Sequence, residues 1–131
     1  MTIAEYCLLA VILIYLVPLT VLRAGSGKDY DNTDPRNPDF YTPGHRRRVW
    51  GAHLNGVEAF PFFAVAVILA EFRNAPQDPL DILAAVFVVI RLAYVAAYLR
   101  GLGGLRSALW GLGFLVNLAI FLMPLWAVSD Y

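Results

Sequence analysis

Two ionised side chains stand inside long apolar runs: Glu58 within the stretch from Val49 to Ala70, and Arg91 within the stretch from Leu80 to Leu99. Left alone at bilayer depth, each costs roughly 2.5 kcal/mol or more, and intramembrane charges are functional by default. Helix geometry predicts that they meet. Glu58 lies about 15 Å beyond Arg48 and Arg91 about 13 Å from Arg100, at 1.5 Å per residue, so antiparallel neighbours would bring them level. Arg48, Gly51, Asn55, Glu58 and Phe62 recur at steps of three and four, as do Val88, Arg91, Tyr94 or Val95, and Tyr98. Residues so spaced share one helix face. Two such stripes at matching depth predict a polar seam that can serve as a site. The alternative is a structural ion pair, hydrogen-bonded to Asn55, that fixes helix register. Tyr94 and Tyr98 are also consistent with interfacial aromatics. Arg46 and Arg47 read as anchors at the membrane surface, and Arg48 alone of that run is in phase with the seam. His53 falls on the opposite side of its helix.

These residues need helices to carry them. The chain has 131 residues, 60% of them hydrophobic and 15% charged, whereas a soluble domain carries about 25% charge. Four apolar runs reach the length of about 20 residues that a spanning helix needs: Ile3 to Leu22, Val49 to Ala70, Leu80 to Leu99 and Ser107 to Val128. They predict an all-α integral membrane protein, a single domain over residues 1–131 built as an antiparallel bundle of four transmembrane helices. The first run lacks the basic flank and cleavage pattern of a signal peptide. Pro18 is tolerable in its last turns because neighbouring helices re-satisfy the freed carbonyl. The long connection from Arg23 to Arg48 contains Asp34-Pro35-Arg36-Asn37-Pro38 and Thr42-Pro43-Gly44, turn formers that predict a folded-back loop. Asp29, Asp31 and Asp34 do not make an EF-hand, which would want glycine at Asp34 and glutamate at Phe40.

Arg23, Lys28, Arg36, Arg46, Arg47, Arg48, Arg100 and Arg106 fall in the first and third connections, while the second connection and both termini hold only Arg73. The positive-inside rule then places the first and third connections in the cytoplasm, both termini on the other side, and any site near those connections open to the cytoplasm. Small residues (Gly51, Ala52, Gly56 and Ala59; Ala84, Ala85, Ala93, Ala96 and Ala97; Gly111 and Gly113) predict close helix contacts, and Asn117 an interhelical hydrogen bond. Glu5 and Asp130 sit at span ends within reach of water. Ten basic residues balance ten acidic ones, which argues against nucleic-acid binding. Cys7, the single cysteine, can close no disulfide within the chain. His45 and His53 lack the spacing for a metal or haem site.

The segment from Arg48 to Phe63, with its core Asn55-x-x-Glu58-x-Phe60-Pro61, resembles the signature of the MAPEG superfamily, the membrane-associated proteins in eicosanoid and glutathione metabolism. Arg91-x-x-Tyr94-x-x-x-Tyr98, followed by Arg106, is a second match. The resemblance implies a homotrimer with a cytoplasm-facing site between neighbouring subunits, where glutathione is the co-substrate and a lipophilic small molecule or membrane lipid the partner. It implies that Arg48, Asn55, Glu58, Arg91, Tyr94 and Tyr98 bind glutathione, with Arg91 bracing Glu58, and that Arg106 and Tyr98 do the chemistry. Glutathione carries two carboxylates and an ammonium, which call for arginine and carboxylate partners. Arg106 would stabilise its thiolate. The chain departs from the pattern at Gly51, where many glutathione-binding members have arginine, unless Arg48 one turn away replaces it. The interval from Tyr98 to Arg106 is about one residue longer than in the leukotriene-synthase branch, and Trp110 stands where some members carry tyrosine.

Three functions are compatible with these residues. The first is a glutathione-dependent transferase or peroxidase acting on lipophilic electrophiles or lipid hydroperoxides. The second is a non-enzymatic lipid-binding or scaffold subunit of a membrane complex. The third is a small multidrug-type exporter, against which stand the long first loop and the placing of the membrane glutamate outside the first span.

Overall fold

A computed structural model describes residues 1–127; Val128, the expected end of the fourth span, and Asp130 lie outside the described residues. Four long helices carry the chain: α1 (Ile3–Gly25), α2 (Gly44–Phe72), α3 (Gln77–Leu99) and α4 (Gly103–Phe121), each long and apolar enough to cross a membrane. No strand occurs among the described residues. The expected all-α architecture with four candidate membrane spans is therefore found.

Local chemistry sets the helix ends. Thr2 and Glu5 form a capping box that opens α1, with the Glu5 N–H donating to Thr2 Oγ1 at 3.1 Å and the Thr2 N–H to Glu5 Oε2 at 2.8 Å. The same end is tied to its neighbours: Thr2 Oγ1 donates to Glu71 Oε1 (2.6 Å) at the end of α2, and the Ala4 N–H donates to Asp81 Oδ1 (2.8 Å) at the start of α3. The start of α1, the end of α2 and the start of α3 thus lie together, as an up-down bundle requires. Asn74 (φ 54°) ends α2 and Gly101 (φ 74°) ends α3, each in the left-handed region. Behind them the Ala75 N–H reaches Ala70 O and the Leu102 N–H reaches Ala97 O, both at 2.9 Å, the hydrogen bonds of a Schellman stop.

These ends shift several expected boundaries. Pro43 is the N-cap of α2, so Arg46, Arg47 and Arg48 ride on its first turns and the first connection shrinks to residues 26–43. The third connection is only Arg100 to Leu102, and Arg106 belongs to α4. The fourth helix stops at Phe121 rather than continuing to Val128. Pro124 has no N–H to continue the ladder, and a four-residue turn, α5 (Met123–Trp126), follows with the Trp126 indole N–H donating to Ala119 O at 2.9 Å.

The first connection folds back as expected, through two 3-10 turns at Gly27–Asp29 and Pro38–Tyr41. Arg23, in the last turn of α1, organises it. Its Nε and Nη2 donate to Tyr41 Oη (3.0 and 2.9 Å), Nη2 also donates to Pro35 O (3.0 Å), and the Tyr41 hydroxyl donates to Pro35 O (2.8 Å). Tyr41 stacks on Trp50, and Phe40 of the loop packs with Leu19 and Val49.

At the opposite end Phe63 stacks on Phe87 at 4.3 Å among Val11, Leu80, Ile120 and several buried alanines. In lipid the tails are as apolar as leucine, so close packing and small residues hold such helices together rather than expulsion of water. Gly56 shows this: a β-carbon there would collide with Tyr15 on α1. His53 turns to that same contact, its Nδ1 donating to Tyr15 O at 3.1 Å, away from the seam as the sequence implies. At Gly111, in contrast, a β-carbon would meet open space.

Candidate functional site

The stripe on α2 faces α3 and α4 across a cleft, with Gly51, Leu54, Asn55 and Glu58 on one wall. Tyr94 and Tyr98 from α3 and Arg106, Ser107 and Trp110 from α4 complete an upper compartment of about 430 Å³. A lower compartment of about 240 Å³ continues from it, sharing Asn55, Glu58 and Trp110 and adding Phe62, Phe87, Arg91, Gly113, Phe114 and Asn117. Asn55, Glu58, Arg91, Tyr94, Tyr98 and Arg106, all singled out by type and spacing, therefore line one continuous cleft.

Arg48 does not join them. Its Nε donates to Leu99 O at 3.0 Å, satisfying a carbonyl left bare at the C-terminus of α3, where a cation is also favoured by the helix dipole. Its phase on α2 is right, but its long side chain reaches the neighbouring helix end instead of the cleft.

The expected Glu58–Arg91 ion pair is not formed. Among the described residues the ion pairs are those of the N-terminal ammonium with Glu5 and of Arg46 with Asp29. Glu58 is exposed on the open side of the cleft. Arg91 is 4% exposed and lies over the Tyr94 ring, 4.2 Å from its centroid, a favourable cation–π contact. Matching depth brought the two into one cavity, but the π face of Tyr94 holds the guanidinium.

Tyr94 and Tyr98 meet edge to face at 5.9 Å, and the Arg106 guanidinium lies 4.8 Å from the Tyr98 centroid. Gly51 explains how Tyr98 reaches this place. A β-carbon at Gly51 would collide with the Tyr98 hydroxyl and lie 2.7 Å from Cζ, so the phenol fills the space that a side chain on α2 would take. The residue that departs from the expected arginine is what lets Tyr98 lean across the cleft.

Buried side-chain atoms of the cleft lack hydrogen-bond partners: Asn55 Oδ1, Arg91 Nη2 and Asn117 Oδ1. Asn117, expected to bond a neighbouring helix through its amide, leaves that oxygen unpaired. Ser107, Trp110 and Asn117 are lining residues not assigned to the site from sequence. Their signal was present, since Arg106, Trp110, Gly113 and Asn117 follow steps of four, three and four along one face of α4.

Comparison with curated proteins and with solved structures gives no significant match. The model of the MAPEG family matches residues 3–126, so the match takes in all four spanning helices and every residue of the cleft, and the chain belongs to the MAPEG family.

Proposed function

We propose that the chain is a glutathione-dependent transferase or peroxidase acting on lipophilic electrophiles or lipid hydroperoxides, working as a homotrimer with its site open to the cytoplasm. The carrying observation is the upper compartment, where the carboxylate of Glu58, the unpaired oxygen of Asn55 and the guanidinium of Arg106 border one space. Its volume of about 430 Å³ lies in the range of small-molecule sites. Glutathione supplies a thiol whose thiolate attacks the electrophile. Glu58 offers the charge complement of its ammonium, Asn55 accepts an N–H, and Arg106 favours the thiolate over the thiol by electrostatic attraction. Arg106 is seated against Tyr98, which keeps the cation in place without neutralising it.

Two features favour the trimer. Glu58 is exposed in mid-helix on a single chain, and a carboxylate facing lipid there would be costly. The compartment also holds one arginine, against two carboxylates of glutathione, and Arg48 is engaged by Leu99. A neighbouring subunit that covers Glu58 and adds a cation meets both needs. The basic residues clustered at the loop end support the cytoplasmic opening.

Titration of the purified protein with glutathione is expected to saturate and to weaken in Glu58→Gln. Absence of any saturable signal at millimolar glutathione would contradict the proposal. A second reading, non-enzymatic lipid binding as a scaffold subunit, is favoured by the single cation of the upper compartment. It predicts co-purified lipid in native mass spectrometry and unchanged cellular function in Arg106→Ala.

A further inference from the structure

We infer that the lower compartment is a seat for the O–H group of a long-chain lipophile, held between the Arg91 guanidinium and the amide oxygen of Asn117. Arg91 and Asn117 are 4% and 3% exposed, and Arg91 Nη2 and Asn117 Oδ1 find no hydrogen-bond partner among the described residues. Arg91 on α3 and Asn117 on α4 line the same space of about 240 Å³. A buried polar atom left unpaired is costly, so a donor and an acceptor on the lining of one cavity are a strong demand for a complementary group.

The chemistry of the two atoms selects that group. A guanidinium N–H only donates, and an amide oxygen only accepts. A hydroxyl or hydroperoxyl group accepts from Arg91 and donates to an amide oxygen. A carboxylate or phosphate cannot donate and would face Glu58, which lines the same cavity. An ammonium cannot accept from Arg91, and an ether or ester oxygen leaves the amide oxygen unmet. The other walls are apolar, formed by Phe62, Phe87 and Phe114. Phe114 and Trp110 are exposed at the rim, so an acyl chain can leave the cavity past them into lipid.

This assignment rests on the proposed function in one respect, that the seated lipophile is the co-substrate of glutathione; Asn55, Glu58 and Trp110 border both compartments. Binding itself is tested without glutathione. The full-length protein in detergent is offered 1-dodecanol, dodecyl hydroperoxide or dodecyl methyl ether, and the bound fraction is read by native mass spectrometry. At least one of the two O–H probes is expected to bind about tenfold more tightly than the ether, and the tighter of the two names the source of the group. Asn117→Leu is expected to erase that preference while glutathione titration stays unchanged. Equal binding of ether and alcohol, or no binding of any probe, which leaves the cavity to water, overturns the inference. The comparison of probes on the unaltered protein decides the matter even if the variant fails to fold. A preference for O–H probes together with failure of glutathione to bind would keep the seat and remove the transferase reading.

Discussion

Arg23 and Arg91 are the same residue on two helices of one bundle, and the protein treats them oppositely. Arg23 makes three hydrogen bonds to Tyr41 and Pro35 and also lies over the Tyr30 ring at 5.4 Å. Arg91 lies over Tyr94 but keeps a buried N–H unpaired, on a cavity that Asn55 and Asn117, each with an unpaired amide oxygen, also line. Around Arg23 the polar groups are consumed in holding the first connection to the bundle. In the cleft they are held in position by packing and left chemically available. Satisfied groups fix the fold, and buried unsatisfied ones call for a partner, which the proposed ligands would supply.

The largest effect expected from this contrast is on turnover. Arg106→Ala removes the cation beside the proposed thiolate, and loss of one preorganised electrostatic contact costs about a hundredfold in rate. Assays of glutathione transfer should show that drop with little change in unfolding midpoint, because the contact of Arg106 with Tyr98 is a single cation–π pair.

Stability separates the two arginines next. Arg23→Ala removes hydrogen bonds to a charged group and should destabilise the fold by about 1.5 kcal/mol, with glutathione binding preserved. Arg91→Met, similar in length and free of an unpaired buried charge, should change stability by less than about 0.5 kcal/mol, since replacing a poorly compensated buried ion by an apolar side chain is often neutral. Denaturation of both variants in the same detergent tests the pair. Equal destabilisation would remove the distinction between the two regions.

Gly51→Ala sharpens the account of the cleft. The new β-carbon must displace Tyr98, and overpacking of this kind costs about 1 kcal/mol. The moved phenol should loosen Arg106, so turnover should fall more than in Tyr98→Phe, which keeps the ring in place.

The smallest effect lies in the exposed part of the first connection. Asp31 Oδ1 accepts from the Thr33 hydroxyl (2.7 Å) and the Thr33 N–H (2.8 Å), and these bonds hold its carboxyl below the ordinary value. A lowered folded value means that the turn is supported above the unfolded pKa, near 3.9, and loses that support as pH falls through the folded value. In a carboxyl NMR titration, Thr33→Val should move Asp31 back up.

Much of this was legible in the sequence. The four spans, the folded-back connection and the in-phase stripes of Asn55 and Glu58, and of Arg91, Tyr94 and Tyr98, follow from apolar length and the helical repeat. Helix ends were less legible because they depend on backbone stops at Asn74 and Gly101 and on the start at Pro43, which moved Arg48 and Arg106 onto helices. Depth along a helix does not fix where a long side chain points. That is why Arg48 caps α3, and why Arg91 rests on Tyr94 without reaching Glu58. Asn117 carried little signal alone and gained meaning only from its phase with Arg106 and Trp110 on a helix that also faces the cleft.

The most direct test of the central claim is a density map of the purified protein at saturating glutathione. The account predicts a tripeptide in the upper compartment, its ammonium at Glu58 and its sulfur beside Arg106. An acyl chain filling that compartment, or no added density there, would contradict it.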